Sequence, residues 1–454
     1  AHLSSANRIA FRLKTHRKLN VNERKRQKQE PYVEVIVRGR RREKSKTLIG
    51  GGLGLLLLLA IAVPGNAQSS SCQPKGYEEL VRCAVGQSSE IQIADQQLKA
   101  AGNLEGIARQ WINPELEAES VQKGSDKSET TAALLFDIRL GGKRGAAIQE
   151  AQGEFQKAKA GRDLSSSQAK LDLIVKLYRL NHLKHEIKIE EESVSTFSKI
   201  IGQYRGKAAL SPEQEVSLSV FRMATSDHQL NLVKLRSEQE QLLQDLASST
   251  NIPRELILKN LPDHKENWPD VSIQSKVESS PHMRFAEGEL TAAKGQKEKA
   301  DADAWPDLKV GPAVKIQKDG GVSENYFGLA LSMPLPILSL NGSGRAYGAQ
   351  KLVEAEMSRS LTGRKITGMR EQLAKKYQAT ISTLKASITD KSAEEKHERV
   401  ERHFFRGLVP SSLVIEAHRQ LIELEEKRNE SERDALEALG SILIIDNQFS
   451  EVIL

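Results

Sequence analysis

The sequence has 454 residues, of which 28% are charged and only 4% are aromatic. So small a share of aromatic side chains excludes a large globular core and favours an elongated helical protein. The formal charge of +7 does not indicate a nucleic-acid partner. Of the 67 Lys and Arg, 15 lie in residues 1–46 together with only 4 of the 60 Asp and Glu, so the rest of the chain is slightly acidic.

The N-terminal part of the chain is typical of an export signal. Residues 1–46 form a basic extension, which we expect either to be disordered or to precede the true start of the protein. Residues 47–67 are predicted as a signal peptide, because an uncharged apolar stretch is followed there by the small residues of Gly65-Asn66-Ala67. Cleavage is expected after Ala67, and an inner-membrane anchor is the alternative.

Both cysteines, Cys72 and Cys83, lie in the next segment, residues 68–110, which is predicted to be a periplasmic segment followed by a helix. In an oxidising compartment the two thiols could form a disulfide. Attachment of a lipid to Cys72 and two free thiols are the alternatives.

The chain contains two similar halves. The runs "YRGKAALSPEQEV" and "FRGLVPSSLVIEA" place Gly206 and Gly407 201 residues apart, and Arg144 and Arg345 have the same separation. A fixed period of this kind predicts a duplicated architecture. The predicted divisions are repeat 1 (111–250), a connector and helix (251–303), repeat 2 (304–440) and a C-terminal segment (441–454).

Each half begins with a predicted β-hairpin, at residues 111–141 and 304–344. In the second strand of each hairpin, apolar residues alternate with polar or small ones, which gives one apolar face. These apolar residues are Leu134, Phe136, Ile138 and Leu140 in the first half, and Phe327, Leu329, Leu331, Met333 and Leu335 in the second. Trp111 and Trp305 lie at the starts of the hairpins, where an aromatic ring marks a membrane interface.

Glycines separate each hairpin from the helix that follows it. Gly141 and Gly142 precede Arg144, and Gly342 and Gly344 precede Arg345. These glycines either let the chain bend from sheet to helix or act as left-handed caps, and both interpretations require a residue without a Cβ atom.

A helical hairpin is predicted after each join, at residues 143–250 and 345–440. The outgoing helices are expected at 143–203 and 345–404, since neither stretch contains a proline. The Ser-Pro-Glu-Gln run at 211–214 supplies an N-cap, an N1 proline and a capping-box Gln for the first returning helix.

A single amphipathic hairpin cannot be stable in a membrane, because its edge groups would be unpaired in hydrocarbon. Two hairpins supply only four strands, too few to close a barrel. The sequence therefore predicts an oligomer whose copies share a β-barrel at one end and a helical tube at the other.

Three stretches resemble the TolC-like outer membrane efflux proteins, namely "LGGKRGAAIQEA" (140–151), "LSMPLPILSLNGSG" (331–344) and "FRGLVPSSLVIEA" (405–417). The first two look most like the subgroup serving cobalt-zinc-cadmium pumps. The resemblance implies a mainly α protein with a β-barrel portion, formed as a homotrimer with a 12-strand barrel continuous with a periplasmic α-helical barrel. It also implies an outer membrane location, a periplasmic adaptor (membrane fusion) protein, an inner-membrane RND pump, and neither enzymatic activity nor a cofactor.

The same resemblance assigns roles to residues of the tip. It makes Gly206 and Gly407 the tip glycines, Leu408 and Val409 the apolar pair that contacts the adaptor, and Glu416 a candidate pore gate. A ring of Glu416 carboxylates would attract cations, and their mutual repulsion would raise their pKa. The alternative is that Glu416 merely favours the first turn of its helix.

The histidines of the sequence do not predict a metal site. His182 and His185 are three residues apart on a predicted helix, but no third ligand accompanies them, so we expect solvated side chains and no metal site. The other histidines considered, His282, His397, His403 and His418, are scattered. Charge runs such as "EEKHERVERH" and "IELEEKRNESERDALEAL" are expected to be solvated helix faces.

The sequence therefore predicts a passive exit duct of a tripartite efflux system, with a gate at its periplasmic tip. The resemblance to the heavy-metal subgroup implies that its cargo is divalent heavy-metal cations. A periplasmic coiled-coil adaptor or scaffold is the alternative, as is a duct for drugs or proteins.

Overall fold

A computed structural model describes residues 72–273 and 277–454. The predicted basic extension and signal peptide lie outside these residues. Within them, no helix combines the length and apolar character that crossing a membrane requires. The elements are α1 (Tyr77–Gln87), α2 (Ser89–Arg109), β1 (Glu115–Gln122), β2 (Lys127–Ile138), α3 (Lys143–Arg205), α4 (Pro212–Thr250), α5 (Arg254–Lys259), α6 (Pro281–Ala302), β3 (Leu308–Asp319), β4 (Val322–Ser332), α7 (Gly342–Ala386), α8 (Asp390–Phe405) and α9 (Ser411–Ile445).

The four strands form one antiparallel sheet in the order β1-β2-β3-β4, so the two hairpins are joined through β2 and β3. The turn of the first hairpin is short, because β1 ends at Gln122 and β2 begins at Lys127. Ser120 and Thr130 share a hydroxyl hydrogen bond of 3.1 Å across the strands. The β-branched Thr130 and Thr131 favour extended backbone and support the start of β2 here.

The first outgoing helix, α3, has 63 residues, close to its predicted extent. The prediction of one continuous helix over 345–404 is wrong, because α7 ends at Ala386 and α8 begins at Asp390. Between them Thr389 caps α8, its side chain accepting from the backbone N–H of Ser392. Ser and Thr side chains at such positions bond the backbone outside a helix and favour a new N-terminus.

The main hydrophobic core gathers α1, α3, α4, α7, α9 and the C-terminal segment. The buried Lys170 of α3 donates from Nζ to the backbone carbonyls of Phe449, Ser450 and Val452 at 2.7–3.2 Å. These bonds compensate for burying an ammonium group. The C-terminal segment is therefore fixed in the core.

Helices α3 and α6 approach each other closely along a line of glycines. A Cβ atom on Gly288 of α6 would lie 2.6 Å from the backbone nitrogen of Lys157 in α3. Gly153 of α3 and Gly295 of α6 are similarly crowded by the backbone of the opposite helix. Small residues allow such contact between helix backbones, and here they fix the helix after the first join against the helix before the second hairpin.

The interior shared by α3, α4 and α9 is partly polar. The buried Glu190 of α3 contacts Nδ1 of His228 in α4 at 2.5 Å. The buried Glu186 accepts hydrogen bonds from Arg179 at 2.8 Å and from Asn429 of α9 at 2.9 Å. Buried polar groups of this kind are tolerated because their partners satisfy them.

Candidate functional site

One face of the sheet is apolar across all four strands. A single cross-strand row joins Ala118, Ala132, Val314 and Phe327. The next residues on this face of β4 are Leu329 and Leu331, and the side chains of this strand are widely exposed, Phe327 by 82%. Large apolar side chains exposed in a continuous band mark a surface that contacts lipid or another protein.

The opposite face of the sheet carries the charged side chains, interspersed with small residues and the buried Leu135. Lys309 of β3 bonds Glu115 of β1 at 2.5 Å, and Lys315 bonds Glu129 of β2 at 2.6 Å. The alternation of the strands thus separates an apolar face from a hydrated one. This is the division that a barrel wall between lipid and a water-filled lumen requires.

Both edges of the sheet are open within the described residues, because β1 and β4 each pair with only one other strand. An open edge presents unpaired backbone groups, which hydrocarbon cannot satisfy. An apolar face beside two open edges therefore needs further strands if it is to enter a membrane.

The first sheet-to-helix join is a left-handed glycine pair. Gly141 has φ of 70° and Gly142 has φ of 82°. A Cβ atom on Gly141 would lie 2.7 Å from the ring of Trp305. Both this contact and the left-handed backbone exclude larger residues at this position. Arg144 donates to the carbonyl of Arg109 at 2.8 Å, and its guanidinium lies 4.7 Å from the centre of the Trp111 ring.

At the second join the left-handed residue is Asn341, with φ of 53°, rather than a glycine. Its side chain donates to the carbonyl of Ala300 at 2.8 Å. Asn tolerates this backbone region, so the expectation that the bend requires a residue without Cβ is wrong here. Gly342 begins α7, Gly344 lies against the side chain of Asn341, and Arg345 lies 3.5 Å from Asp301.

The tip of the first helical hairpin contains Gly206, which follows α3 with φ of −76°, and the start of α4. The capping box is confirmed. The Ser211 hydroxyl accepts from the N–H of Gln214 at 3.3 Å, and the Gln214 side chain accepts from the N–H of Ser211 at 3.2 Å. The residues at 211–214 thus determine where the turn ends and α4 begins.

The second tip has Gly407 at φ of 72°, followed by Leu408, whose side chain is 66% exposed, and by Val409. Ser411 of this tip and Ser217 of α4 share a hydroxyl hydrogen bond of 2.9 Å, so the two tips lie side by side. A cavity of ≈ 420 Å³ between them is lined by residues of both, Val409 among them. This gives the paired tips a concave surface with an exposed leucine beside it.

Glu416 lies one turn into α9 and is paired within its own helix. Arg419 donates to both carboxylate oxygens, at 2.6 and 3.0 Å, and Gln420 donates at 2.7 Å. The hydrogen bonds from Arg419 and Gln420 lower the pKa of Glu416. This carboxylate is therefore ionised at neutral pH and accompanied by the positive charge of Arg419.

Cys72 and Cys83 are joined by a disulfide, with their Cα atoms 6.0 Å apart. The bond ties the segment before α1 to α1 itself.

The expectation that His182 is a solvated helix-face residue is wrong, because its side chain is 0% exposed. Its ring lies beside Glu432 of α9 and His264 of the segment between α5 and α6. His185 is exposed and its ring centre lies 5.2 Å from that of His264. No sequence pattern could have revealed this group, because its members are up to 250 residues apart.

The charge runs are not uniformly solvated either. His397 and His418 are not scattered, since their ring centres are 4.1 Å apart. His418 is buried, with Nε2 3.0 Å from Glu401 and Nδ1 2.9 Å from the hydroxyl of Ser193. One side of the first run therefore faces a polar interior. The second run has such a side too, since its Glu425, Asn429 and Glu432 are buried. Of the remaining histidines, His282 is half-buried on α6 and His403 lies on α8.

A small antiparallel sheet with one apolar face, continued by long helical hairpins, is the TolC-like outer membrane channel fold. Solved structures bear this out. The Campylobacter jejuni CmeC outer membrane channel matches with a TM-score of 0.66 and 13% identity, over 82% of this chain and 85% of that one. The Vibrio cholerae outer membrane protein VceC matches with a TM-score of 0.63 and 16% identity, over 81% and 95%.

In sequence, the chain is 22% identical to the cobalt-zinc-cadmium resistance protein CzcC of Cupriavidus metallidurans, over 77% of this chain and 84% of that protein. CusC, a transmembrane channel, matches in structure with a TM-score of 0.60 and 14% identity, over 85% and 97%. No family model matches the sequence. The resemblance to TolC-like proteins and to a heavy-metal resistance protein among them is confirmed.

Proposed function

We propose that the protein is the outer membrane exit duct of a tripartite efflux system, extending into the periplasm and performing no chemistry on its cargo. One observation carries this proposal: an apolar face that crosses four strands and ends in two open edges. Three copies would supply twelve strands, pair every edge and place the apolar face towards lipid and the charged face towards the lumen.

The paired tips are the proposed contact with a periplasmic adaptor, itself bound to an inner-membrane RND pump. The exposed Leu408 and the neighbouring Val409 supply an apolar anchor, and the turns at Gly206 and Gly407 set its position. Truncating such an anchor weakens association without affecting the interior. Leu408→Ser should reduce cross-linking to the adaptor at an unchanged melting temperature, and normal cross-linking would contradict the assignment.

Glu416 is the proposed gate residue. Three copies around an axis would form a ring of carboxylates, each accompanied by Arg419, which limits their mutual repulsion. Glu416→Ala should make the pore leakier in planar bilayers and less sensitive to block by divalent cations. Unchanged conductance and block would reduce Glu416 to a helix-terminal residue.

Divalent heavy-metal cations are the proposed cargo. This rests on the sequence similarity to a cobalt-zinc-cadmium resistance protein. Deletion of the gene should increase sensitivity to cobalt, zinc and cadmium salts. Sensitivity to drugs alone would assign a different cargo to the same duct.

The membrane role is tested by two substitutions on adjacent residues of β4. Phe327→Arg places a charge on the apolar face, which costs about 2–4 kcal/mol at the bilayer midplane. Tyr326→Arg, the control, places the same charge on the polar face. The first variant should lose the heat-resistant trimer of the outer membrane fraction, and the second should retain it.

Two results would overturn the proposal. One is equal recovery of both variants as outer membrane trimers. The other is release of the unmodified protein as a soluble monomer by osmotic shock, which would favour a periplasmic scaffold instead.

A further inference from the structure

Three side chains from distant parts of the chain converge on one point. Nε2 of His182 in α3 lies 2.9 Å from Oε2 of Glu432 in α9, and Nδ1 of His264 lies 2.7 Å from the same oxygen. The three ligand-type atoms all lie within 4.8 Å of one another. His264 belongs to the segment between α5 and α6, so three separate elements contribute.

These distances are close to those of a metal site. Zinc binds imidazole nitrogen and carboxylate oxygen at about 2.0–2.2 Å, so neighbouring donors of a tetrahedral site are about 3.3 Å apart. The two nitrogens need to move only about 0.5 Å from Oε2 to admit an ion. Movement on this scale requires no change of fold, because His264 lies on a connecting segment and its side chain is 31% exposed.

The protonation states also suit a ligand set. Burial lowers the pKa of His182, so its ring is neutral at pH 7, the form that binds metals. Burial alone would raise the pKa of Glu432, but hydrogen bonds from His182, His264 and the Lys265 N–H outweigh it and lower the pKa to about 2. Glu432 is thus a carboxylate, and Lys265 orients its second oxygen at 2.5 Å.

The cluster has a path to solvent. His264 and Glu432 line a cavity of ≈ 380 Å³, whose other lining residues include Trp268 and Asn429. An ion can enter by this cavity, and a water there can complete a fourth position. Two histidines, one carboxylate and an open position form a ligand set typical of zinc.

We propose that His182, His264 and Glu432 form a binding site for a divalent transition metal of the Zn²⁺, Co²⁺ or Cd²⁺ type. Bound metal connects the segment between α5 and α6 to α3 and α9. All three ligands belong to one chain, so metal binding at this site does not depend on whether the protein transports metal.

The test uses the full chain, purified in detergent and freed of metal. Zinc is titrated against a chromophoric chelator, cobalt is added separately for its visible spectrum, and melting is followed with and without zinc. His264→Gln and Glu432→Gln remove ligands, His282→Gln is the control outside the site, and His418→Gln accounts for the other histidine cluster.

We expect the unmodified protein to bind zinc in competition with the chelator, to give a tetrahedral cobalt spectrum and to melt at a higher temperature with zinc. His264→Gln should weaken binding at least about tenfold and abolish the spectrum and the shift, since the loss of even a supporting group costs 10–100-fold. His282→Gln and His418→Gln should retain all three properties.

Because His264 is partly exposed, His264→Gln should fold even if Glu432→Gln does not, and its melting without zinc verifies this. The proposal is overturned if the unmodified protein takes no zinc from the chelator. It is equally overturned if a folded His264→Gln variant binds zinc and cobalt as the unmodified protein does. Neither result bears on the proposed duct, which is tested separately on the strands.

Discussion

The glycine contact between α3 and α6 allows a prediction in which the same substitution has opposite effects at two positions. Gly288→Ala places a methyl group 2.6 Å from the backbone nitrogen of Lys157 and 2.9 Å from its Cα. Gly161→Ala, also between α3 and α6, places one 3.7 Å from the ring of Phe285, an ordinary contact. Both glycines lie within helices, so the gain in helix propensity is similar.

The magnitudes follow from these distances. Favourable contacts involving carbon begin at about 3.5 Å, so the two helices must separate by about 0.9 Å to admit the methyl on Gly288. Overpacking of this kind costs about 1–3 kcal/mol, and the upper part of the range applies because backbone atoms cannot rotate away. Subtracting about 1 kcal/mol of helix propensity leaves a net loss of about 1–2 kcal/mol for Gly288→Ala. Gly161→Ala should gain about 0.5–1 kcal/mol.

Thermal unfolding of both purified variants, followed by circular dichroism in one detergent and at one protein concentration, checks the prediction. Gly288→Ala should melt below the unmodified protein and Gly161→Ala at or above it. Shifts of the same sign and size in both variants would refute the reasoning from close backbone contact.

Three further predictions concern the tip and the N-terminal segment. The Arg419 hydrogen bonds lower the pKa of Glu416 from 4.5, so their stabilising effect is present above that value and is lost as the pH falls through the lowered pKa. Arg419→Gln should therefore shift Glu416 protonation, read as the pH dependence of cation block in planar bilayers, to higher pH, and an unchanged curve would contradict this. Phe221→Ala empties a fully buried position at the tip and should cost about 3–5 kcal/mol in unfolding experiments, with faster proteolysis of the tip. Cys83→Ser opens a short disulfide loop and should cost up to about 3 kcal/mol; a reducing agent should destabilise the unmodified protein but not this variant.

The elements that could be predicted from the sequence depend on neighbours in the chain. The capping box at Ser211 needs only residues 211–214, and the alternation on β4 repeats every second residue. The long α3 was equally evident, because it lacks proline and is followed by a turn. Local patterns of this kind carry the architecture of strand, join and helical hairpin.

The remainder depends on contacts between distant residues. A buried His182 or Glu190 has the same local sequence pattern as a solvated one, and only packing against α9 and α4 distinguishes them. The use of Asn341 rather than a glycine at the second join depends on its bond to Ala300 in another helix. Likewise, the interruption of the helix before Thr389 could not be predicted, because the sequence on both sides of it has a helical pattern.

The paired carboxylates inside the helical region have a consequence for movement. Glu186 has partners on α3 and α9, and Glu190 has its partner on α4. Turning α3 about its axis by a single residue, about 100°, would separate Glu186 from Asn429 of α9 and Glu190 from His228 of α4, while Arg179 would turn together with Glu186. Leaving a buried polar group without its partner costs about 1–3 kcal/mol, and more for a charged group. Axial rotation of α3 is thereby disfavoured, whereas bending of α3 together with α4 and α9 keeps these contacts.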